Sequence, residues 1–389
     1  MSKKICVYTC ITGNYDALHE INHPETEIDY YCFTNNKKIK SNTWKIIYIN
    51  DKKIDNRHLA RKIKILGHPT INQNYETAVW IDADVVWQKP IMDFIKTYYQ
   101  NSTFSIFKHH SRNNIHDEAI ACLRLRKENK ENILKILNFY KTVNYLGNNG
   151  LCESTVFIKS LKDPLVTKTM QIWFDIVNKY SHRDQLSFNY AISKTNLNVN
   201  YINLNVWDNT WFKTAKHIPS TKENTSCHVY FGNPNQNFDI NKYYIYEYHK
   251  KNHTYFFNAT IPNAAKEIEL NPTDIIGTKF DNILISPTPN HIIINGTVSS
   301  IFCNEHGTIH IYNNFKKGQK LSFSITMSKA TAAEINKLIE YQWLQNITLL
   351  KENSDLKSTN QEIQKNLQSI INSKGWKTLE KTRKLLHLK

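Results

Sequence analysis

The triplet Asp82-Ala83-Asp84 closes an apolar run from Thr77 to Ile81. Two carboxylates separated by one small residue at a strand's end can reach a single divalent ion, and hard oxygen ligands suit Mn2+ or Mg2+. Such an ion acts as a Lewis acid on a departing diphosphate. The plainer reading of the pair is a cap on the following turn, but its position after an apolar strand favours the metal. A basic stripe precedes it: Arg57, Arg61 and Lys64 fall at i, i+4 and i+7. A bare charge stripe is usually a solvated helix face, and its place before the D-x-D strand makes Arg61 a candidate phosphate contact.

Two more clusters carry chemistry. The first joins His109-His110-Ser111-Arg112 to His116-Asp117-Glu118. Neighbours on a strand point to opposite faces, so His109 and His110 are not expected to share an ion and read as a polar cleft wall. The second is Ser181-His182-Arg183-Asp184-Gln185, which fits the S-x-x-D helix-start signature. At a helix start it is placed to bind sugar hydroxyls or anionic groups. If the chemistry removes a proton from a hydroxyl, then Asp184, Glu153 and His110 are the candidate bases.

Alternating strands and helices must position these residues. Ile5–Cys10, Asp29–Phe33, Trp44–Ile49, Thr77–Ile81, Phe104–Phe107 and Thr155–Ile158 read as strands. Asn56–Gly67 reads as a helix with Leu59, Ile63 and Leu66 inward, stopped by Gly67 and Pro69. Val166, Met170, Trp173 and Val177 mark another helix. The pattern predicts an α/β domain over residues 1–235. Short alternating runs then predict a small β-rich domain over 240–328, read as a sandwich. Residues 330–371 read as helical, with Leu349, Leu356, Ile363 and Ile370 spaced as a weak coiled coil that could form a homo-oligomer. Residues 372–389 form a basic amphipathic tail, a candidate contact with an anionic inner membrane face.

The chain has 389 residues, enough for more than one core, and a formal net charge of +16. That charge favours anionic partners. Nucleic acid is not expected, because the basic residues are dispersed and no recognition module appears. A metal-dependent nucleotidyltransferase is an alternative reading, but the motif G-x-x-x-x-G-K-[ST] is missing. Glycan binding without catalysis is another. Seven scattered cysteines without C-x-x-C, and no run long enough to span a membrane, predict a cytoplasmic protein.

Six ordered blocks carry a resemblance: Tyr8–Asp16 (YTCITGNYD), Asp29–Thr34 (DYYCFT), Ala60–Pro69 (ARKIKILGHP), Trp80–Asp84 (WIDAD), His110–Ala119 (HSRNNIHDEA) and Ser181–Tyr190 (SHRDQLSFNY). Over about residues 4–215 the chain resembles the TOD/MUCI-like glycosyltransferase family. The resemblance implies a GT-A fold, a Rossmann-like nucleotide-diphospho-sugar transferase domain. It implies a nucleotide-sugar donor, read as UDP-linked, and a glycan or glycolipid acceptor in surface polysaccharide biosynthesis. It further implies nucleoside contacts at Thr9, Thr12, Gly13 and Tyr15, and metal ligands at Asp82 and Asp84. Asp184 and Gln185 resemble a D-Q pair beside the donor sugar of related transferases. His217 is the expected late histidine ligand, with His228 second. The end of the chain, Asn372–Leu385, is similar to the S-x-x-W-x6-R tail of many bacterial surface-glycan glycosyltransferases.

Overall fold

The computed structural model describes residues 4–334 except 52–53, 101, 216–224, 235, 274–277, 296, 299–300, 303–306 and 332, together with 361 and 364. His217, the coiled-coil positions and the basic tail lie outside the described residues. The chain divides into two compact units, Met1–Ile245 and Tyr246–Lys389. Among the described residues no helix is long and apolar enough to cross a membrane.

The strands of the first unit include β1 (Ile5–Ile11), β2 (Ile28–Thr34), β3 (Lys45–Tyr48), β4 (Thr77–Ile81), β5 (Val85–Trp87), β6 (Phe104–Lys108), β7 (Cys152–Ser160), β8 (Asn200–Ile202), β9 (Phe212–Thr214) and β10 (Ser226–Gly232). Its helices are α1 (Asn56–Leu66), α2 (Pro69–Asn72), α3 (Ile91–Tyr98), α4 (Ile115–Arg124), α5 (Lys130–Thr142), α6 (Pro164–Lys179) and α7 (Phe188–Thr195). Seven strands form one sheet in the order β3-β2-β1-β4-β7-β6-β8. Strands β3, β2, β1 and β4 run parallel, and β7 alone runs against its neighbours β4 and β6. The order reverses between β1 and β4, where an open α/β sheet leaves a crevice at its carboxyl edge. Strand β1 is buried from Cys6 to Ile11, and apolar there apart from Thr9, because both faces are covered. Cys6, Tyr8 and Cys10 enter a core with α1, α6 and α7, whereas Val7 and Ile11 enter a second core with α3.

The second unit is antiparallel. One sheet pairs Ala265–Asn271, Thr308–Phe315 and His291–Asn295. Another pairs His249–Lys251, Thr254–Thr260, Lys320–Lys329 and Thr278–Ser286. Alternation decides which face is buried: Phe257 and Phe323 stack inside at 4.4 Å, while Phe256 and Ser324 face out.

Helix α1 departs from its sequence reading in one respect. Ile63, Lys64 and Ile65 are buried and Leu66 is only partly so. The apolar stripe is rotated by about one residue, which takes Lys64 out of solvent. A second lysine, Lys159 on β7, is also buried. Its ammonium donates to Ile65 O at 2.7 Å and lies 5.4 Å from the Tyr8 ring centre. Burial, only partly opposed by Cys6, pushes its pKa down from 10.5 to about 7. Between pH 7 and 9 the unfolded chain therefore binds more protons than the folded one, and this lysine makes stability rise with pH. Lys159→Met is expected to remove that slope, at most about 1.4 kcal/mol per pH unit. Melting curves of both proteins at pH 7, 8 and 9 should show the wild type gaining on the variant as pH increases.

Candidate functional site

The carboxyl ends of β1, β2, β4 and β6 and the first residues of the reversed strand β7 share one sheet edge, which follows from the parallel and antiparallel registers. Asp82, Asp184, Gln185, Glu153 and the basic residues of α1 gather there. Helix α1 holds the basic ones, and both its ends are fixed. Asp55 caps the N-terminus, its Oδ1 accepting from Arg57 N at 2.9 Å and His58 N at 3.0 Å. At the C-terminus all four unpaired carbonyls find donors. Ile63 O accepts from Gly67 N, Lys64 O from the Tyr8 hydroxyl, Ile65 O from Lys159 Nζ and Leu66 O from Asn72 Nδ2. Gly67 adopts φ 79°, and a Cβ there would sit 2.3 Å from Asn72 Oδ1.

The stripe on α1 is engaged along its whole length and passes from the exposed Arg57 through the half-buried Arg61 to the buried Lys64. Arg57 Nη1 lies 2.8 Å from His182 Nε2. Arg61 donates to His182 O at 3.2 Å and reaches Asp184 Oδ2 at 3.3 Å. Lys64 Nζ sits between Asp184 Oδ2 at 2.8 Å and Asp82 Oδ1 at 3.1 Å, with the Trp80 ring centre 5.5 Å away. Trp80 Nε1 also donates to Asp82 Oδ1, at 2.8 Å. Only 2% of the Lys64 side chain and 3% of the Asp184 side chain are exposed. Burial pushes the Asp184 carboxyl up, but Arg61, Lys64 and Arg183 overcome it and hold it far below the usual carboxylate range.

The S-x-x-D segment is therefore not a capping box. Ser181 Oγ donates to Glu128 Oε2 at 2.6 Å, residues Asp184–Leu186 form a single 3-10 turn, and the helix that follows has no side-chain cap. Asp184 faces the cations, with Ser154 Oγ donating to its Oδ2 at 2.9 Å. Gln185 is held beside it, its Oε1 accepting from Arg183 at 3.1 Å and its Nε2 donating to Cys152 O at 3.4 Å.

The histidine pair also differs from expectation. Strand β6 ends at Lys108, so strict alternation no longer applies, and the His109 and His110 rings stack at 5.1 Å beside Glu153. One ligand atom from each of His109, His110 and Glu153 lies within 4.8 Å of the others. His110 Nδ1 is 3.0 Å from Glu153 Oε1. His109 Nδ1 instead accepts from Ser111 N at 3.2 Å and Arg112 N at 3.1 Å. Burial, helped by Arg112 and His110, lowers the His109 pKa to about 3. The neutral ring thus carries its proton on Nε2, which makes that atom a donor and a poor metal ligand.

Among the resemblance-derived nucleoside contacts, Thr9 is fully buried within β1, two residues short of its end, and so lies below the rim. Thr12 Oγ1 donates to Asn56 O at 2.8 Å. Gly13, at φ 64°, donates to Asn35 Oδ1 at 2.7 Å and accepts from Asn36 Nδ2 at 3.0 Å. Tyr15 is exposed. Asp84 is partly exposed, and its carbonyl accepts from Ala215 N at 2.6 Å beside the β5–β9 ribbon. His228 lies away from this edge in strand Ser226–Gly232, its Nδ1 2.5 Å from the Tyr243 hydroxyl.

Sequence reasoning passed over Ser154, Glu128 and Trp207. The I-K-I context of Lys64, a lysine between two strongly apolar residues, was the available signal for its burial.

A mixed, parallel-rich α/β domain with paired acidic residues at its switch point is common to many nucleotide-using enzymes. Here the sequence profile of the TOD1/MUCI70, glycosyltransferase-like domain matches residues 1–218, and the chain belongs to that family. No curated protein matches the chain. Among solved structures, the apo form of the bifunctional glycosyltransferase WbbM is similar with a TM-score of 0.36 and 13% identity, covering 52% of this chain and 39% of that one. The chain thus spans well under two thirds of that protein's length.

Removing one partner of a buried ion pair strands the other's charge. Lys64→Met is expected to cost about 3 kcal/mol in urea unfolding, and adding Asp184→Asn should recover part of that loss. Strict additivity of the two substitutions would show that the pair is not coupled.

Proposed function

We propose that the first unit is a metal-dependent GT-A glycosyltransferase that moves a sugar from a nucleotide sugar, UDP-linked in our reading, to a glycan or glycolipid acceptor. The observation that carries this reading is the Asp82–Lys64–Asp184 cluster at the crevice between β1 and β4. Around the ends of β1 and β2, the side-chain amides of Asn14, Asn35, Asn36 and Asn56 bond one another and the Gly13 backbone. That rim offers donors and acceptors to a base and ribose, with Thr12, Gly13 and Tyr15 along it.

The residues fit a divalent ion. Lys64 and Trp80 both bond Asp82 through Oδ1, leaving Oδ2 for an ion, and Asp84 stands two residues away. Among the described residues no histidine or third carboxylate completes the set, so ligand oxygens or His217 must do so. Asp82 and Asp84 would hold Mn2+ or Mg2+, which when bound neutralises the leaving diphosphate. Electrostatics supports the need for it. Asp82 and Asp184 already balance the charges of Lys64 and Arg61, so these cations have little to spare for a diphosphate.

The carboxylates divide by role. Asp184, with its pKa far below neutrality, is a poor proton acceptor and serves to position Arg61 and Lys64 with Gln185 beside it. Burial raises the Glu153 pKa despite His110, Trp207 and Arg112. Glu153 is therefore the better base if the reaction inverts the anomeric centre.

The test is thermal unfolding with UDP, GDP, CDP and ADP, each with and without Mn2+. A nucleotide at 100 times its Kd adds about 2.7 kcal/mol, a shift of a few degrees. We expect a shift that needs UDP and Mn2+ together and vanishes in Asp84→Asn. A cooperatively melting wild type that no diphosphate shifts would sink the proposal.

A further inference from the structure

Among the buried polar atoms without a partner, His109 Nε2 and Glu153 Oε2 belong to side chains packed against each other beside the site. Their side chains are 0% and 5% exposed. Such orphans are uncommon in folded proteins because each forfeits a hydrogen bond to water. Here they are of opposite kinds. His109 Nδ1 accepts from two backbone N–H groups, so Nε2 carries the proton and donates. Glu153 Oε2 can only accept while the group is ionised. Nε2 lies 3.6 Å from Glu153 Oε1, too far for a hydrogen bond. Two hydrogen bonds meeting at one oxygen span about 4.5 Å end to end, so a single hydroxyl can bridge such a donor and a carboxylate.

The nearby carboxylate of Glu118 offers a contrast. It lies 3.9 Å from His109 Nε2 but is already held by Arg112 at 2.7 Å and Cys122 at 3.3 Å. Unlike Glu118, Glu153 keeps an unpaired oxygen beside the His109 donor. Two exposed groups bear on that carboxylate. His110, a third exposed, bonds Glu153 Oε1. Trp207, 56% exposed, also favours the ionised form of Glu153. The Trp207 loop is itself fixed by Asn205 Oδ1 accepting from Trp207 N at 2.9 Å and by buried Val206. A large indole held open to solvent offers a platform for the C–H face of a pyranose.

We propose that His109 Nε2 and Glu153 Oε2 clamp one hydroxyl of a sugar ring that stacks on Trp207. A sugar hydroxyl both accepts and donates, which matches the two orphans, whereas a cation would meet the His109 proton and a phosphate would meet the Glu153 charge. Entry needs a rotamer change at Trp207 or His110. The clamp rests on the glycosyltransferase reading, and its sugar comes from either the donor or the acceptor.

Isothermal titration with UDP, UDP-glucose, UDP-galactose and UDP-N-acetylglucosamine, each with Mn2+, separates the sources. It is paired with saturation-transfer NMR of methyl glycosides of the same hexoses added to the UDP-loaded protein. If the donor sugar fills the clamp, Glu153→Gln leaves UDP affinity intact and weakens one UDP-sugar at least tenfold. If the acceptor fills it, UDP-sugar affinities hold and a methyl glycoside signal seen in wild type disappears. Trp207→Ala, at an exposed position, should reproduce the same loss and serves if Glu153→Gln does not fold. The proposal is overturned if both variants leave every sugar affinity and signal unchanged, or if they weaken UDP itself. Failure of wild type to bind any UDP species would instead count against the proposed function, and the methyl glycosides would then be tested without UDP.

Discussion

The Lys64 ammonium is taken out of water and given two carboxylates and an indole face in return. A buried cation is tolerable only with such company, and its partners come from two distant parts of the chain. Asp82 ends β4, Asp184 lies in the turn before α7, and Trp80 reaches across from the strand itself. Satisfying one charge therefore fixes the relative placement of a helix, a strand and a loop. Arg61 extends the arrangement by one turn of α1, and His182 with Glu128 carries it to the start of α5. The crevice of the sheet is lined by a network whose opposite charges are close to balanced.

How legible this was depends on the range of the interactions. Strands β1, β2 and β4 and helices α1 and α6 follow from local apolar periodicity, and the D-x-D triplet is visible because it directly ends a strand. The family blocks bracket the site because they include most of its charged residues. What stayed hidden depends on distance along the chain. Lys64 meets Asp184 across 120 positions, and nothing local reveals that its stripe faces a carboxylate instead of solvent. The reversal of β7, which brings Glu153 and Ser154 to the carboxyl edge, is a property of topology that no period in residues 152–160 encodes.

Local rules also misled where they were applied beyond their range. Alternation separates His109 from His110 only inside a strand, and β6 stops one residue before them. The S-x-x-D spacing matched a helix start, yet Ser181 bonds Glu128 and Asp184 bonds the cations of α1. In both cases a side chain found a stronger charged or hydrogen-bonded partner than the one its own segment offered.

Helix α1 is anchored unequally. At its C-terminal end four carbonyls are tied to a strand hydroxyl, a buried ammonium, a loop amide and the chain's own turn. At its other end the exposed Asp55 receives two amides, and Thr12 and Asn35 bond Asn56. The helix is thus fastened to buried groups at one end and mostly to exposed ones at the other. Exchange of partners with the solvent side is open to Arg57, while the charge of Lys64 stays where folding put it.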